Sequence, residues 1–459
     1  MSAPITNRDD SRLSFWQRVR EYAVPPSMIE AATARRHIGD WAGACAAAGF
    51  DVDIDLRSLA RSHGREVAAR IRADLRHLAP DLLRWHLPRI APDGLLRPGL
   101  TIALARYDPA DSRKRCDRNS SVYLVVRTAP ARVDAGQRIV LAVWDGSRTG
   151  PHPHPRPNRR FRLDLHRHLW DARRIGELPM RSGAEQRVAG DFDPGLLELV
   201  PGSCAVDRWA AEAGILLRAE GRGTGPLRVR FGARREVVVD LASDGDNPPV
   251  LRIAEAYPRG RVSALPVLPD AATWVLPDLE LIRAGAITPD RLHPLVASVL
   301  VPDCPPADSS RIEDRAGRAR LVQCRGEQHR IELVDGVLAA LDHDPAEIRR
   351  EELLVALTGT PLPCLQAIDR AHRHPDCLAG VRERLVHGDT AGALAVVEDL
   401  LGPGAVLRDG ALRDELAASA RRRITYGLFR AGLAGYGPPR IRSDRRSDHR
   451  GHPRNATFR

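Results

Sequence analysis

Two stretches, Ser121-Val-Tyr-Leu-Val-Val126 and Arg138-Ile-Val-Leu-Ala-Val143, decide how the fold is read. Both are short and rich in β-branched residues, so each predicts a strand. Leu100-Thr-Ile-Ala-Leu104 precedes them with the same character. No helix-length amphipathic segment separates the three. Parallel neighbours need a long crossover connection, whereas antiparallel neighbours need only a turn. The spacing therefore predicts an antiparallel meander and argues against a doubly wound nucleotide-binding sheet. Further along, Leu227-Arg-Val-Arg-Phe231 and Glu236-Val-Val-Val-Asp240 flank Gly232–Arg235, a short Gly-containing connection that predicts a hairpin.

Outward from these strands the periodicity changes to that of helices. Val67, Ile71, Leu75 and Leu78 form one apolar face over Gly64–Ala79, and Pro80 and Pro88 bracket a further short turn, Asp81–Leu87, that carries Trp85. Thr288-Pro289 and Asp344-Pro345-Ala346-Glu347 are helix starts, the second completing a capping box. Arg318–Cys324 and His329–Val334 predict an inserted strand pair, and Val301–Ser310 a linker. The expected fold class is α+β, with helical N- and C-terminal regions around a mainly antiparallel β-rich middle. The expected division is a helical region over 1–95, a β-rich region over 96–285, a mainly helical region over 286–433, and a disordered basic tail over 434–459.

One phrase occurs twice. Gly39-Asp40-Trp41-Ala42-Gly43-Ala44 matches Gly388-Asp389-Thr390-Ala391-Gly392-Ala393. Gly closes one helix, Asp caps the next, and small residues allow a close corner. Two such corners about 350 residues apart do not make a repeat array, so the same physics at two unrelated helix corners accounts for them.

The chain has 459 residues and a formal net charge of +11, and 69 of its 70 basic residues are Arg. Codon pressure in a GC-rich genome explains such a bias without a functional cause. The single lysine, Lys114, lies in Ser112-Arg-Lys-Arg-Cys116 with no glycine-rich lead-in. That argues against Walker A, protein-kinase and pyridoxal-phosphate chemistry, each of which needs a placed lysine. The motifs G-x-S-x-G, H-E-x-x-H and G-x-G-x-x-G do not occur. The excess charge is localised: residues 421–459 carry 11 Arg against Asp444 and Asp448, and residues 146–175 carry 8 Arg against Asp164 and Asp171. The remainder is slightly acidic. Leu412, Leu416, Ala420, Ile424 and Leu428 recur every four residues, which predicts a docked helix leading into the tail.

Three sites follow as candidates. Phe161-Arg-Leu-Asp-Leu-His-Arg-His168 alternates, and as a strand it places Asp164, His166 and His168 on one face, a ligand set suited to a divalent metal. Arg159, Arg160 and Arg162, with Arg421, Arg422, Arg423, Arg445 and Arg446, are the candidate contacts for nucleic acid or an acidic partner. Cys364, His372, His374 and Cys377 are zinc-type ligands at a non-standard spacing. The stretch Pro151-His-Pro-His-Pro-Arg-Pro157 predicts an extended, exposed arm for docking a partner.

The phrases Arg20-Glu-Tyr-Ala-Val-Pro-Pro-Ser-Met28, His77-Leu-Ala-Pro-Asp-Leu-Leu-Arg-Trp-His86 and Arg423-Ile-Thr-Tyr-Gly-Leu-Phe-Arg-Ala-Gly432 resemble an uncharacterised family of proteins from high-GC actinobacteria. The resemblance implies a bacterial cytoplasmic setting and brings no activity, cofactor or catalytic residue with it. The seven scattered cysteines contain no C-x-x-C pair, and no secretory signal or membrane-length apolar run is visible, so a cytoplasmic location is expected. The expected function is a non-catalytic interaction or scaffold protein for an unidentified protein partner, with no cofactor and no membrane. The alternatives are a nucleic-acid-associated protein using its Arg clusters, and a metal-dependent enzyme centred on Asp164, His166 and His168.

Overall fold

The computed structural model describes residues 6–108, 121–131, 133, 136–147, 152–184, 192–232, 235–242, 250–254, 257–302, 320–324, 327–334, 337–358, 362–373, 377–402 and 404–433. The chain forms two compact units that divide near residue 306. The fold is α+β, with several small, mainly antiparallel sheets and helices at both ends.

The first unit opens with α1 (Thr6–Tyr22), α2 (Pro26–His37) and α3 (Trp41–Ala47), then β1 (Phe50–Asp53), α4 (Leu56–His63), α5 (Arg65–His77) and α6 (Pro80–His86). A small hairpin of β2 (Arg89–Ile90) and β3 (Leu95–Leu96) leads into β4 (Thr101–Tyr107), β5 (Val122–Thr128) and β6 (Ile139–Trp144). These last three strands form the expected antiparallel meander. The sheet order is β1-β6-β5-β4, and β1 joins in parallel, pairing Phe50 with Ile139. The N-terminal region is thus not wholly helical: it supplies an edge strand, from a four-residue stretch too short for its alternation to stand out. Val67, Ile71 and Leu75 of α5 are buried against the sheet residues Ile102, Leu104 and Val122, in a core that also holds Trp85 and Trp170.

Next come α7 (Leu178–Ser182), α8 (Gly195–Leu199), α9 (Val206–Ala219), β7 (Gly225–Arg230), β8 (Glu236–Ala242) and β9 (Val250–Ile253). β7 and β8 make the expected hairpin, in register from Gly225–Leu241 to Arg230–Glu236. Trp209, Ala213, Leu216 and Leu217 on α9 pack with Leu227, Val229, Val239 and Leu241 of the sheet. Three short helices, α10 (Asp270–Thr273), α11 (Pro277–Arg283) and α12 (Pro294–Leu300), complete the unit.

The second unit holds β10 (Arg320–Cys324), β11 (Glu327–Val334) and β12 (Val337–Ala340), an antiparallel meander, followed by α13 (Pro345–Thr358), α14 (Pro363–Arg373), α15 (Leu378–His387), α16 (Thr390–Leu401) and α17 (Ala411–Arg430). Asp344 caps α13 by accepting from the Ala346 amide at 2.9 Å.

The repeated phrase builds the same corner in both units. Gly39 and Gly388 adopt positive φ, of 78° and 89°. Asp40 and Asp389 then cap α3 and α16 by accepting from the amides of Gly43 and Gly392, at 2.8 and 2.9 Å. Each capping carboxylate also pairs with an arginine five residues earlier, Arg35 at 3.1 Å and Arg384 at 2.9 Å.

Three expectations are corrected. Phe161–His168 is not a strand: amides bond three residues back, Leu165 to Arg162 and His166 to Leu163, and Arg167–Leu169 is a 3-10 turn. A chain of turns does not alternate, so His166 and His168 are buried along with Phe161 and Leu163. On α17, Leu412, Ser419, Tyr426 and Phe429 face inward while Ile424 and Leu428 are exposed. The aromatic pair takes the core side and rotates the buried face away from the aliphatic stripe. The Pro-His segment, described from His152 onward, is no free arm. His152 Nε2 lies 3.0 Å from the Thr128 carbonyl, and the His154 carbonyl accepts from Thr101 Oγ1 at 2.6 Å.

Candidate functional site: an arginine-lined cavity

The first unit contains a cavity of about 530 Å³; among the described residues its wall carries nine arginines and one carboxylate, Asp270. Helical spacing supplies part of the wall. Arg12, Trp16 and Arg20 recur every fourth residue of α1 and therefore share a face, with Phe15 beside them. Trp85 and His86 end α6, and Pro88 then turns the chain into the small hairpin that brings Arg89 and Arg97. Arg160–Leu163 and His168 come from the turn-rich segment, Arg181 from α7 and Arg208 from α9. Phe231 and Arg235 come from the end of the β7–β8 hairpin, and Asp270 and Trp274 from either end of α10.

Several of these guanidinium groups have carboxylate partners in the protein. Arg12 donates to Glu280 at 2.8 Å, and Arg20 to Asp278 at 2.8 Å. Arg160 pairs with Asp270. Arg162 grips Asp164 through two nitrogens and reaches Glu220 at 2.8 Å. Arg181 holds both oxygens of Glu212, at 2.6 and 2.7 Å. Three differ. Among the described residues Arg89 donates only to the carbonyls of Arg84 and Gly94, and Arg235 only to that of Leu199. Among the described residues the half-buried Arg97 side chain has no hydrogen bond; its guanidinium lies 5.8 Å from the Phe161 ring centre. Burial, helped by Arg160, lowers the pKa of Arg97; burial, with Arg84 and Arg20, lowers that of Arg89 further. Each charge is thus held where an anion would relieve it.

The aromatic side chains interleave with these cations. The Arg20 guanidinium lies 4.3 Å from the Trp85 ring centre and 5.4 Å from that of Trp16, and Arg12 lies 5.3 Å from that of Trp274. These cation–π contacts hold the guanidinium groups over the aromatic rings. Two histidines complete the lining. Burial is the main cause holding both His86 and His168 well below the usual imidazole range, reinforced by Arg20 at His86 and by His166 and Arg181 at His168. Both are therefore neutral at physiological pH.

The sequence-predicted residues fall differently. Arg160 and Arg162 line the cavity, but both are committed to carboxylates. Arg159 is exposed, near Glu220 and Arg222 on a small neighbouring cleft. Arg421 and Arg423 are exposed on α17 and Arg422 is half-buried; Arg445 and Arg446 lie outside the described residues, as does Lys114. Of the metal trio, Asp164 is held by Arg162, and His166 lies between the Arg162 carbonyl at 3.0 Å and Glu212 at 3.1 Å. Among the described residues no group of three or more His, Cys, Asp or Glu is placed to hold a metal ion. Cys364 Sγ lies 3.6 Å from His343 Nε2, and His374 is outside the described residues.

Trp16, Arg20, Trp85, Arg89, Arg97, Arg181, Arg208 and Arg235 were not legible as site residues. The one available signal was the four-residue spacing of Arg12, Trp16 and Arg20. Comparison with protein-family models, curated proteins and solved structures gives no match. Among the described residues no helix is long and apolar enough to cross a membrane.

Proposed function

We propose that the protein is a non-catalytic binding protein whose first unit holds an anionic small molecule in the arginine-lined cavity. The observation that carries this reading is Arg97: a half-buried guanidinium on the cavity wall with no hydrogen-bonding partner in the described protein. Five N–H donors in a fixed fork suit an oxyanion. The volume falls within the range of small-molecule sites. Among the described residues Cys45, Cys204, Cys364 and Cys377 are free thiols, which fits a reducing, cytoplasmic setting. The nucleic-acid reading draws less support, because Asp270, Asp164 and Glu220 already occupy Arg160 and Arg162.

The test is thermal unfolding with pyrophosphate, citrate and nucleoside phosphates at matched ionic strength. A ligand at about 100 times its Kd adds about 2.7 kcal/mol of stability. We expect at least one of these anions to raise Tm, with the rise lost in Arg97→Gln. If none raises Tm above matched sodium chloride, the reading fails.

A further inference from the structure

We propose that the occupant is a nucleotide: a heteroaromatic ring with hydrogen-bond donors and acceptors on its edge, joined to a phosphate. This rests on the anion-binding reading above and adds what the rest of the cavity recognises.

The lining is of two chemical kinds. Around Phe161 it is cationic, with Arg97 and Arg160 at 5.8 and 5.6 Å from the ring centre. A phosphate there meets an uncommitted guanidinium and a second one shared with Asp270. The second kind is flat, polar and uncharged at its donors. Among the described residues His86 Nε2 and His168 Nδ1 are buried without a hydrogen-bond partner, and both residues line the cavity. A neutral imidazole offers one N–H donor and one lone pair. Two of them complement a group that both donates and accepts, such as the edge of a base. Each unpartnered nitrogen is a donor or an acceptor according to the ring's tautomer, so the edge of a base can satisfy both in either state, whereas an anionic oxygen can only accept. Arg20 and Arg181 nearby disfavour a cation. Trp16 and Trp85, each with the Arg20 guanidinium over its ring, add aromatic surface suited to a planar ligand. A fatty acid would satisfy the arginines and the apolar wall but would leave both histidines unpaired, at the cost that buried unpaired polar groups carry.

Calorimetry on the full chain discriminates these occupants, with the four nucleoside monophosphates, the matching nucleosides, phenyl phosphate and dodecanoate as probes. At least one mononucleotide should bind about tenfold or more tighter than phenyl phosphate, and likewise tighter than its own nucleoside. Arg97→Gln should weaken the nucleotide about tenfold and leave the nucleoside unchanged. His168→Leu, checked for folding by circular dichroism, should weaken the nucleotide but not phenyl phosphate. If phenyl phosphate or dodecanoate binds as well as every nucleotide, with Arg97 still required, the nucleotide inference is overturned while the anion site stands. If no anion binds, both are overturned. The wild-type ratio of nucleotide to phenyl phosphate decides the matter even if the histidine variant does not fold.

Discussion

Arg20 and Asp278, 258 residues apart, share a charge-assisted hydrogen bond of 2.8 Å in which both side chains are almost fully buried. The other Asp278 oxygen accepts from the Trp85 indole at 3.0 Å, so one carboxylate fixes two side chains of the cavity wall. Burial lowers the pKa of Arg20, and Asp278 opposes that effect. Removing one partner of such a pair costs about 3–5 kcal/mol, because the remaining charge is left buried. Asp278→Ala should therefore lose stability of that order in urea unfolding. Replacing the pair together, Arg20→Met with Asp278→Leu, should recover part of it. A loss below about 1 kcal/mol in Asp278→Ala would show that Arg20 finds other compensation.

The two repeated corners predict an inverted glycine effect. Gly→Ala within an exposed helix usually stabilises by up to about 1 kcal/mol. A Cβ at Gly43 or Gly392, however, falls on the capping carboxylate of Asp40 or Asp389. Loss of such a cap costs about 0.5–2 kcal/mol. Gly43→Ala and Gly392→Ala should each lower the unfolding midpoint, and a raised midpoint in either would refute the account.

Stability should fall on mild acidification. His86 and His168 are held neutral in the folded state, whereas in the unfolded chain they take up protons as pH falls through about 6.5. The unfolded state then binds more protons, so stability declines below that pH by up to about 1.4 kcal/mol per unit for each histidine. Urea unfolding between about pH 7.5 and pH 5.5 reads the histidines, since most unfolded carboxyls stay ionised there; His152 and His372, which burial also lowers, add to the decline. His168→Gln should make the decline shallower; an unchanged slope would assign it to other groups.

Thiol reactivity should follow burial. Burial, with Asp40 adding to it, pushes Cys45 up to about 12, and burial pushes Cys204 up to about 12. The thiolate is the nucleophile, so neither residue should react with iodoacetamide at about pH 8 until the protein is unfolded. Peptide mapping of native and denatured samples reads this directly. Labelling of either residue in native protein at the rate seen for the unfolded chain would contradict it.

Much of the fold was legible because its signals are local. The strands β4, β5 and β6 and the β7–β8 hairpin carry their own β-branched runs and turns, and Asp344 and the two Gly-Asp phrases carry their own caps. The parallel strand β1 was not, since four residues give too little alternation. Nor was the region around His166, where alternating letters fall on a chain of turns. On α17 the aliphatic stripe suggested one face, and the packing of Tyr426 and Phe429 chose another.

The candidate site divides along the same line. The sequence by itself determined that arginine is abundant, that it clusters near 159–162 and at the C-terminus, and that lysine-dependent chemistries are disfavoured. Which arginines are neutralised depends on carboxylates remote in sequence: Asp270 takes Arg160, and Asp278 takes Arg20. Among the described residues the Arg97 side chain hydrogen-bonds neither a carboxylate nor a carbonyl, and only the tertiary structure reveals it. Coulomb energy and desolvation depend on distance in space, and a sequence records only distance along the chain.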